Sequence, residues 1–154
     1  MIEITNVSKS YNGSTYAVKD ISFTVPRGEM FGFLGPNGAG KTTTIKMITG
    51  IHGVDKGTIT INGIDIMKNP MEAKRTFGYV PDSPDMFLRL KGIEYLNFMA
   101  DMYEVPKEVR QERIESLAKK FDLYNALSDQ IQSYSHGMKQ KIGIIAALMH
   151  EPEV

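Results

Sequence analysis

The sequence contains no cysteine. That absence removes disulfides, thiolate metal sites and a cysteine nucleophile, and fits a cytoplasmic chain. It has no excess of either charge, since Lys plus Arg and Asp plus Glu stand at 18 each. No net field therefore favours nucleic acid or an anionic membrane surface, and no nucleic-acid partner is expected. No apolar run reaches the roughly 18 residues that a membrane helix needs. The opening Met1-Ile2-Glu3-Ile4 does not read as a signal peptide. The expectation is a chain that is neither inserted nor secreted, so that any membrane role comes through a partner. There is no Asn-Lys-x-Asp run of the kind that reads a guanine base, no internal repeat and no low-complexity segment. What remains is 154 residues, 42% apolar and 23% charged, ordinary for one soluble globular domain with a sizeable core.

Against this plain background one stretch stands out: Gly35-Pro36-Asn37-Gly38-Ala39-Gly40-Lys41-Thr42-Thr43. A short apolar run, Met30 to Leu34, precedes it, and Thr44 to Thr49 follows as a helix stopped by Gly50. Strand, glycine-rich loop and helix, with the spacing G-x-x-x-x-G-K-T, make a P-loop. Glycines at 35, 38 and 40 let successive backbone N–H groups turn inward around a phosphate chain, and the positive end of the next helix faces the same anion. Lys41 can reach the terminal phosphates, and the Thr42 hydroxyl is placed to ligate Mg²⁺. A glycine-rich turn before a helix is the plain alternative. Its four fixed positions match by chance in roughly one chain in two hundred of this length, so nucleoside-triphosphate binding is the reading kept.

The rest of the chain organises around that loop. Residues 2–7 read as a strand, followed by an Asn12-Gly13 turn. Ala17 to Val25 alternates as a second strand, with Ile21, Phe23 and Val25 on one face. Gly57 to Ile61 and Ile64 to Ile66 flank Asn62-Gly63, the signature of a hairpin with a type I′ turn. An antiparallel sheet attached to a parallel αβ core follows from this order. Met71 to Arg75 reads as a short helix and Phe77 to Val80 as a core strand. The run Pro81-Asp82-Ser83-Pro84-Asp85 then breaks regular structure. Beyond it the chain turns helical. Ile93, Leu96, Met99, Ala100 and Tyr103 share one face over 92–103. Val109, Ile114, Leu117, Ala118 and Phe121 stripe the helix that starts at Pro106. The charged opposite face, Lys107 to Glu115, reads as solvated. After Ser135 a helix follows, almost wholly apolar from Ile142 to Met149, which has to be buried on most sides.

These residues together resemble the nucleotide-binding domain of an ABC transporter, most nearly the ATPase subunits of bacterial two-component exporters. The resemblance runs the length of the chain. Tyr11 stands where that family stacks an aromatic ring on adenine, with Tyr16 a weaker candidate. Ala17 to Phe23 matches the second strand, Gly35 to Thr43 the Walker A loop, and Gly78-Tyr79-Val80-Pro81-Asp82 the strand leading to the Gln-loop. Ser135-His136-Gly137-Met138 takes the place of the signature motif. The implied fold is α/β: a P-loop NTPase core with an antiparallel β subdomain and an α-helical subdomain, truncated before the Walker B strand. The implied division is residues 1–81 as β subdomain and P-loop core, 82–134 as Gln-loop and helical subdomain, and 135–150 as signature helix. The implied cofactors are ATP and Mg²⁺. The implied partners are a transmembrane permease subunit and a second nucleotide-binding subunit met head to tail, at the inner face of the cell membrane, with export as the direction. Nucleotide contacts would fall to Tyr11, Gly35, Asn37, Gly38, Ala39, Gly40, Lys41, Thr42, Thr43, Ser135 and Gly137. Lys41 and Asp82 would serve catalysis, with Thr42 and Asp82 on the metal. Ser135 alone reads first as a helix N-cap; beside Walker A, the phosphate role is the better reading.

Two positions depart from the family pattern. Asp82 stands where glutamine is usual: it can ligate Mg²⁺ but adds charge and loses reach, and a turn-forming aspartate beside prolines is the alternative. His136 replaces the first signature glycine, and a solvent-facing imidazole accounts for it equally well. His52 and His150 read as surface or helix-end histidines without a role. One requirement is unmet. No run of four apolar residues is followed by Asp-Glu, so the Walker B aspartate and the glutamate that polarises water are missing. The expectation is an N-terminal piece of a longer ATPase, unable to hydrolyse ATP usefully by itself, less stable than a whole domain and prone to self-association. A non-transport ABC-type ATPase, or a chain that only binds nucleotide, are the other readings.

Overall fold

The structure is a computed structural model in which residues 1–82 and 87–154 are described. It forms two compact units, Met1–Phe77 with Val154, and Gly78–Glu153.

The first unit is built on a four-stranded antiparallel sheet. Its strands are β1 (Ile2–Ser10), β2 (Tyr16–Val25), β3 (Lys56–Ile61) and β4 (Ile64–Asp65), in the order β2-β1-β3-β4. Asn62 and Gly63 both carry positive φ, 51° and 80°, as a type I′ hairpin between β3 and β4 demands. β1 slips register against both neighbours near residues 5–8. Polar side chains cover the disturbed ladder there. Asn6 N–H donates to Ser22 Oγ at 2.8 Å, Asp20 N–H donates to Ser8 Oγ at 2.9 Å, and Asn6 Nδ2 donates to Asp20 Oδ1 at 3.1 Å. Helices α1 (Lys41–Ile48) and α2 (Pro70–Arg75) complete the unit. Its buried side chains include Ile4, Val7, Ile59 and Ile61 from the sheet, Met47 and Thr44 from α1, Ala73 from α2, and Phe77.

The second unit is helical: α3 (Gly92–Met102), α4 (Lys107–Lys120) and α5 (His136–Leu148), with two 3₁₀ turns at Tyr124–Ala126 and Ile131–Ser133. Its core draws Leu96 and Ala100 from α3, Ile114 and Ala118 from α4, and Ile142, Ile145 and Ala146 from α5, around Leu123, Ile131 and Met149. The expected stripes on α3 and α4 face this core. α5 is buried on most sides as its composition requires, although Leu148 stays 38% exposed. The segment before α5 is zipped to the start of α3 through Ile93 N–H to Leu127 O (2.9 Å), Gly92 N–H to Asp129 O (3.0 Å) and Ile131 N–H to Leu90 O (2.9 Å).

Three expectations change. Residues 30–34 and Phe77–Val80 form no β-ladder among the described residues. A strand exists only with a neighbour about 4.8 Å away, and a parallel neighbour must be delivered by a crossover. The sheet ends at β2 and β4, and neither pairs with these segments. Instead Phe31 and Phe33 stack on Phe23 of β2, with ring centroids 5.3 and 5.7 Å apart, while Met30 and Leu34 are exposed. The parallel portion of the core is therefore present as segments without a ladder. Third, His150 is not a bare helix-end residue: its ring stacks flat on Tyr103 at 3.8 Å and 3°. Of the break expected over 81–85, residues 81 and 82 form no helix or strand and residues 83–85 lie outside the described residues.

Candidate functional site

The P-loop runs from Gly35 into α1. Gly38 and Gly40 hold φ of 82° and 85°, left-handed values that any residue with a Cβ adopts at a cost of about 1 kcal/mol. Gly40 is also pressed on β2: a Cβ there would overlap the Ala17 carbonyl oxygen and touch Val18 Cγ2 at 3.0 Å. The sequence shows the glycine but not this second reason for it. Gly35 faces into the loop, where a Cβ would sit 3.4 Å from Ala39 Cβ and 4.0 Å from Lys41 Cδ. The loop is closed by Ala39 N–H donating to Pro36 O at 3.2 Å.

The first turn of α1 has no acidic residue and no side-chain cap. Its leading N–H groups have no partner within the helix, and with the helix dipole they form an anion-binding end. The Lys41 ammonium lies over the loop and donates to Gly35 O at 2.5 Å and Pro36 O at 2.8 Å. A cation, a glycine-rich loop and an uncapped helix start thus lie together, the kinds of group that a triphosphate requires. Thr42 is exposed at the second helical position. Thr44, by contrast, is buried and returns its hydroxyl to Gly40 O at 2.9 Å. No group of three carboxylate or imidazole side chains that could hold a metal occurs among the described residues. A Mg²⁺ ion would therefore need oxygens from a bound nucleotide or water, and the exposed Thr42 hydroxyl is the protein oxygen here that could add to them.

Tyr11 belongs to the same unit and reaches this loop. It follows β1 directly, is 60% exposed, and its hydroxyl lies 3.3 Å from Thr43 Oγ1. The fold thus brings residues 11 and 43 together across 32 positions of sequence. Tyr16 heads β2 opposite Ser10. Two residues that sequence reasoning passed over border Tyr11. His52 stands nearly perpendicular to it, centroids 5.7 Å apart. Asp55 accepts from Lys9 Nζ and from Ser10 N–H, each at 2.7 Å. The Lys9 hydrogen bond, then the Ser10 N–H, hold the Asp55 carboxyl below its ordinary range. Neither residue has a motif to betray it; only the pairing of β1 with β3 brings that turn beside Tyr11.

Ser135, His136, Gly137 and Asp82 lie in the helical unit. Ser135 is the N-cap of α5, its Oγ accepting from Met138 N–H at 3.2 Å. His136 and Gly137 follow, both exposed, and nothing lies within 4 Å of where a Gly137 Cβ would be. The helix start is therefore open to a ligand or a second molecule. It is held in place by Tyr134, which is buried and donates its hydroxyl to Ala126 O at 2.6 Å. Asp82 sits exposed in a bend.

Comparison with known proteins adds to this geometry. Residues 18–154 match the family model described as ABC transporter. The chain is 41% identical over 154 residues to the linearmycin resistance ATP-binding protein LnrL of Bacillus subtilis (strain 168), covering 100% of this chain and 49% of that protein. It is 34% identical over 154 residues to the choline transport ATP-binding protein OpuBA of the same organism, covering 99% and 40%. A solved structure of an ATP binding subunit of an ABC transporter superposes with a TM-score of 0.91 at 36% identity, over 99% of this chain and 63% of that one. The chain spans about half the length of the curated relatives it matches.

Proposed function

Because this chain belongs to the ABC transporter ATP-binding family, we propose that it supplies the nucleotide-gripping part of an ATPase subunit that powers export through a separate membrane protein. The observation that carries the reading is the P-loop, where Lys41 Nζ lies on the loop carbonyls of Gly35 and Pro36, the left-handed Gly38 and Gly40 shape the backbone, and α1 starts without a side-chain cap. Backbone N–H groups from Gly38 to Thr43 would hold the β- and γ-phosphates, with Gly35, Asn37 and Ala39 shaping the loop. Lys41 would neutralise charge, and Thr42 would complete the Mg²⁺ shell. Tyr11 would offer its ring to adenine. Ser135 and Gly137 would meet the γ-phosphate held by a second copy, joined head to tail. Asp82 would touch the metal directly or through water. A permease at the inner membrane face would be the partner, and no described helix is long and apolar enough to cross a membrane itself. The name of the linearmycin resistance relative, at 41% identity, favours export over the choline transport named for a relative at 34%.

A second reading has its own observation. No apolar run ending in Asp-Glu occurs in the sequence, and on this second reading the 154 residues would bind nucleotide without turning it over. Calorimetric titration with Mg²⁺·ATP separates the possibilities. Binding that Lys41→Ala weakens by about tenfold or more, the value of one charged hydrogen bond and its partner, supports the site. Absence of binding by the parent chain overturns it. Phosphate release above background would sink the binding-only reading. For Asp82, unchanged Mg²⁺-dependent turnover in the full-length Asp82→Gln protein would remove it from the metal.

A further inference from the structure

Tyr11 projects from the end of β1 on a short loop whose ends are tied together. Asn12 Oδ1 accepts from Ser14 N–H at 3.1 Å and Thr15 N–H at 2.8 Å, and Ser10 Oγ donates to Thr15 O at 2.8 Å. The loop is therefore internally closed, and its placement depends on what holds its root. That root is held from the turn joining α1 to β3. Asp55 grips two successive residues of β1, Lys9 through its ammonium and Ser10 through its N–H, while Asp55 N–H donates to Ser8 O at 3.1 Å. Three residues earlier on the same turn, His52 meets the Tyr11 ring itself. The turn begins where α1 ends, since His52 N–H donates to Lys46 O at 2.9 Å. The helix that carries the P-loop thus runs directly into the residues that set Tyr11.

We propose that Asp55 and His52 are positioning residues for Tyr11, so that the turn after α1 aligns the purine platform with the P-loop and contributes to base affinity without touching nucleotide. The inference rests on the reading of Tyr11 as that platform. Asp55 fixes the height of the loop over the sheet edge by holding both Lys9 and Ser10. His52 fixes the tilt of the ring through its perpendicular contact, which leaves at least one face of Tyr11 for a base. Tyr11 and Thr43 close the same circuit on the phosphate side through their hydroxyls. A ring already held in its binding orientation loses less rotamer freedom when a base arrives.

The test separates the base from the phosphates. ATP and inorganic tripolyphosphate, each with Mg²⁺, are titrated calorimetrically against the chain and against Tyr11→Ala, Asp55→Ala, His52→Ala and His52→Phe. Tyr11→Ala is expected to weaken ATP about five- to tenfold, the lower end of base-stacking losses, and to leave tripolyphosphate unchanged. Asp55→Ala and His52→Ala are expected to weaken ATP alone, by about threefold, a fraction of the stacking term. His52→Phe, which keeps a ring at that place, restores ATP affinity. Unchanged ATP affinity in Asp55→Ala and His52→Ala overturns the proposal. So does equal loss for both ligands, which marks general damage to the fold. If Tyr11→Ala itself leaves the ATP-to-tripolyphosphate ratio unchanged, the platform reading fails, a result distinct from failure of the two positioning residues.

Discussion

Tyr134 decides how α3, the segment 126–134 and α5 meet. Its hydroxyl ends on Ala126 O, and Gly92 at the start of α3 leaves room for it: a Cβ at Gly92 would overlap that hydroxyl and press on Ile142 Cδ1 at 3.2 Å. Tyr134→Phe removes one buried donor and strands an acceptor, so it should lower unfolding free energy by about 1–2 kcal/mol in urea titrations. Gly92→Ala should cost about as much or more through overpacking, and the pair should be non-additive because the second change meets a site already opened. Tyr134 also belongs to a set of tyrosines with raised pKa. Burial raises Tyr95, with the Tyr103 charge adding to it; burial alone raises Tyr103; burial, then the Asp129 charge, raises Tyr134. A raised pKa means that the folded chain holds these protons longer than the unfolded chain. Their contribution is complete below the ordinary tyrosine value of 10.0 and is lost as pH climbs through the folded values. Thermal melts should therefore fall from about pH 10 upward, and the double variant Tyr95→Phe with Tyr103→Phe should flatten that fall. At this scale the sequence shows Gly38, Gly40 and Lys41 plainly, because the P-loop pattern is defined by those residue types at that spacing. Gly92, His52 and Asp55 are illegible in it, because their value lies in contacts that only the folded chain brings about.

The helices start and stop by local devices, and these differ in how openly the sequence carries them. Ser135 as the N-cap of α5 and Pro106 before α4 are written in residue type. The ends of α3 and α4 are less so. Each closes on a non-glycine residue in the left-handed region, Glu104 at φ 55° and Asp122 at φ 54°. The next residue then folds back as a buried anchor, Val105 N–H donating to Ala100 O and Leu123 N–H to Ala118 O, both at 2.8 Å. This is the Schellman arrangement, for which glycine is the usual signal. The burial of Val105 and Leu123 supplies what the missing glycine does not. Asp122→Gly should accordingly stabilise the helical unit by about 0.5–1 kcal/mol, since the left-handed strain is relieved and partly offset by a more flexible unfolded chain. A drop in the denaturation midpoint would show that Asp122 contributes something other than strain. Strands were the weaker part of the sequence reading for a related reason. Alternation identifies β1, β2 and the 56–65 hairpin, whose neighbours lie in the chain. The runs 30–34 and 77–80 have strand composition but no ladder, because composition cannot supply a partner.

At the scale of the whole molecule the same two runs set the behaviour of the chain in solution. Met30 is fully exposed and Leu34 92% exposed, with Phe31 at 52% beside them. Large apolar side chains flank a backbone that joins no β-ladder among the described residues. Apolar surface and unladdered backbone on one stretch are together a template for pairing with another molecule. A zero formal net charge gives no long-range repulsion to oppose it. Sedimentation velocity on the chain should therefore show mass rising with concentration. The double variant Met30→Lys with Leu34→Lys should shift the population toward monomer, because it puts charge on the edge and removes its two most exposed apolar groups. A strictly monomeric parent across the accessible concentration range would show that residues 30–34 find cover within the molecule. Self-association unchanged in the double variant would move the contact elsewhere. The exposed aromatic pair Phe87 and Phe98 of the helical unit, 5.3 Å apart, is then the surface to charge next, and the response to each pair of lysines assigns the contact to one unit or the other.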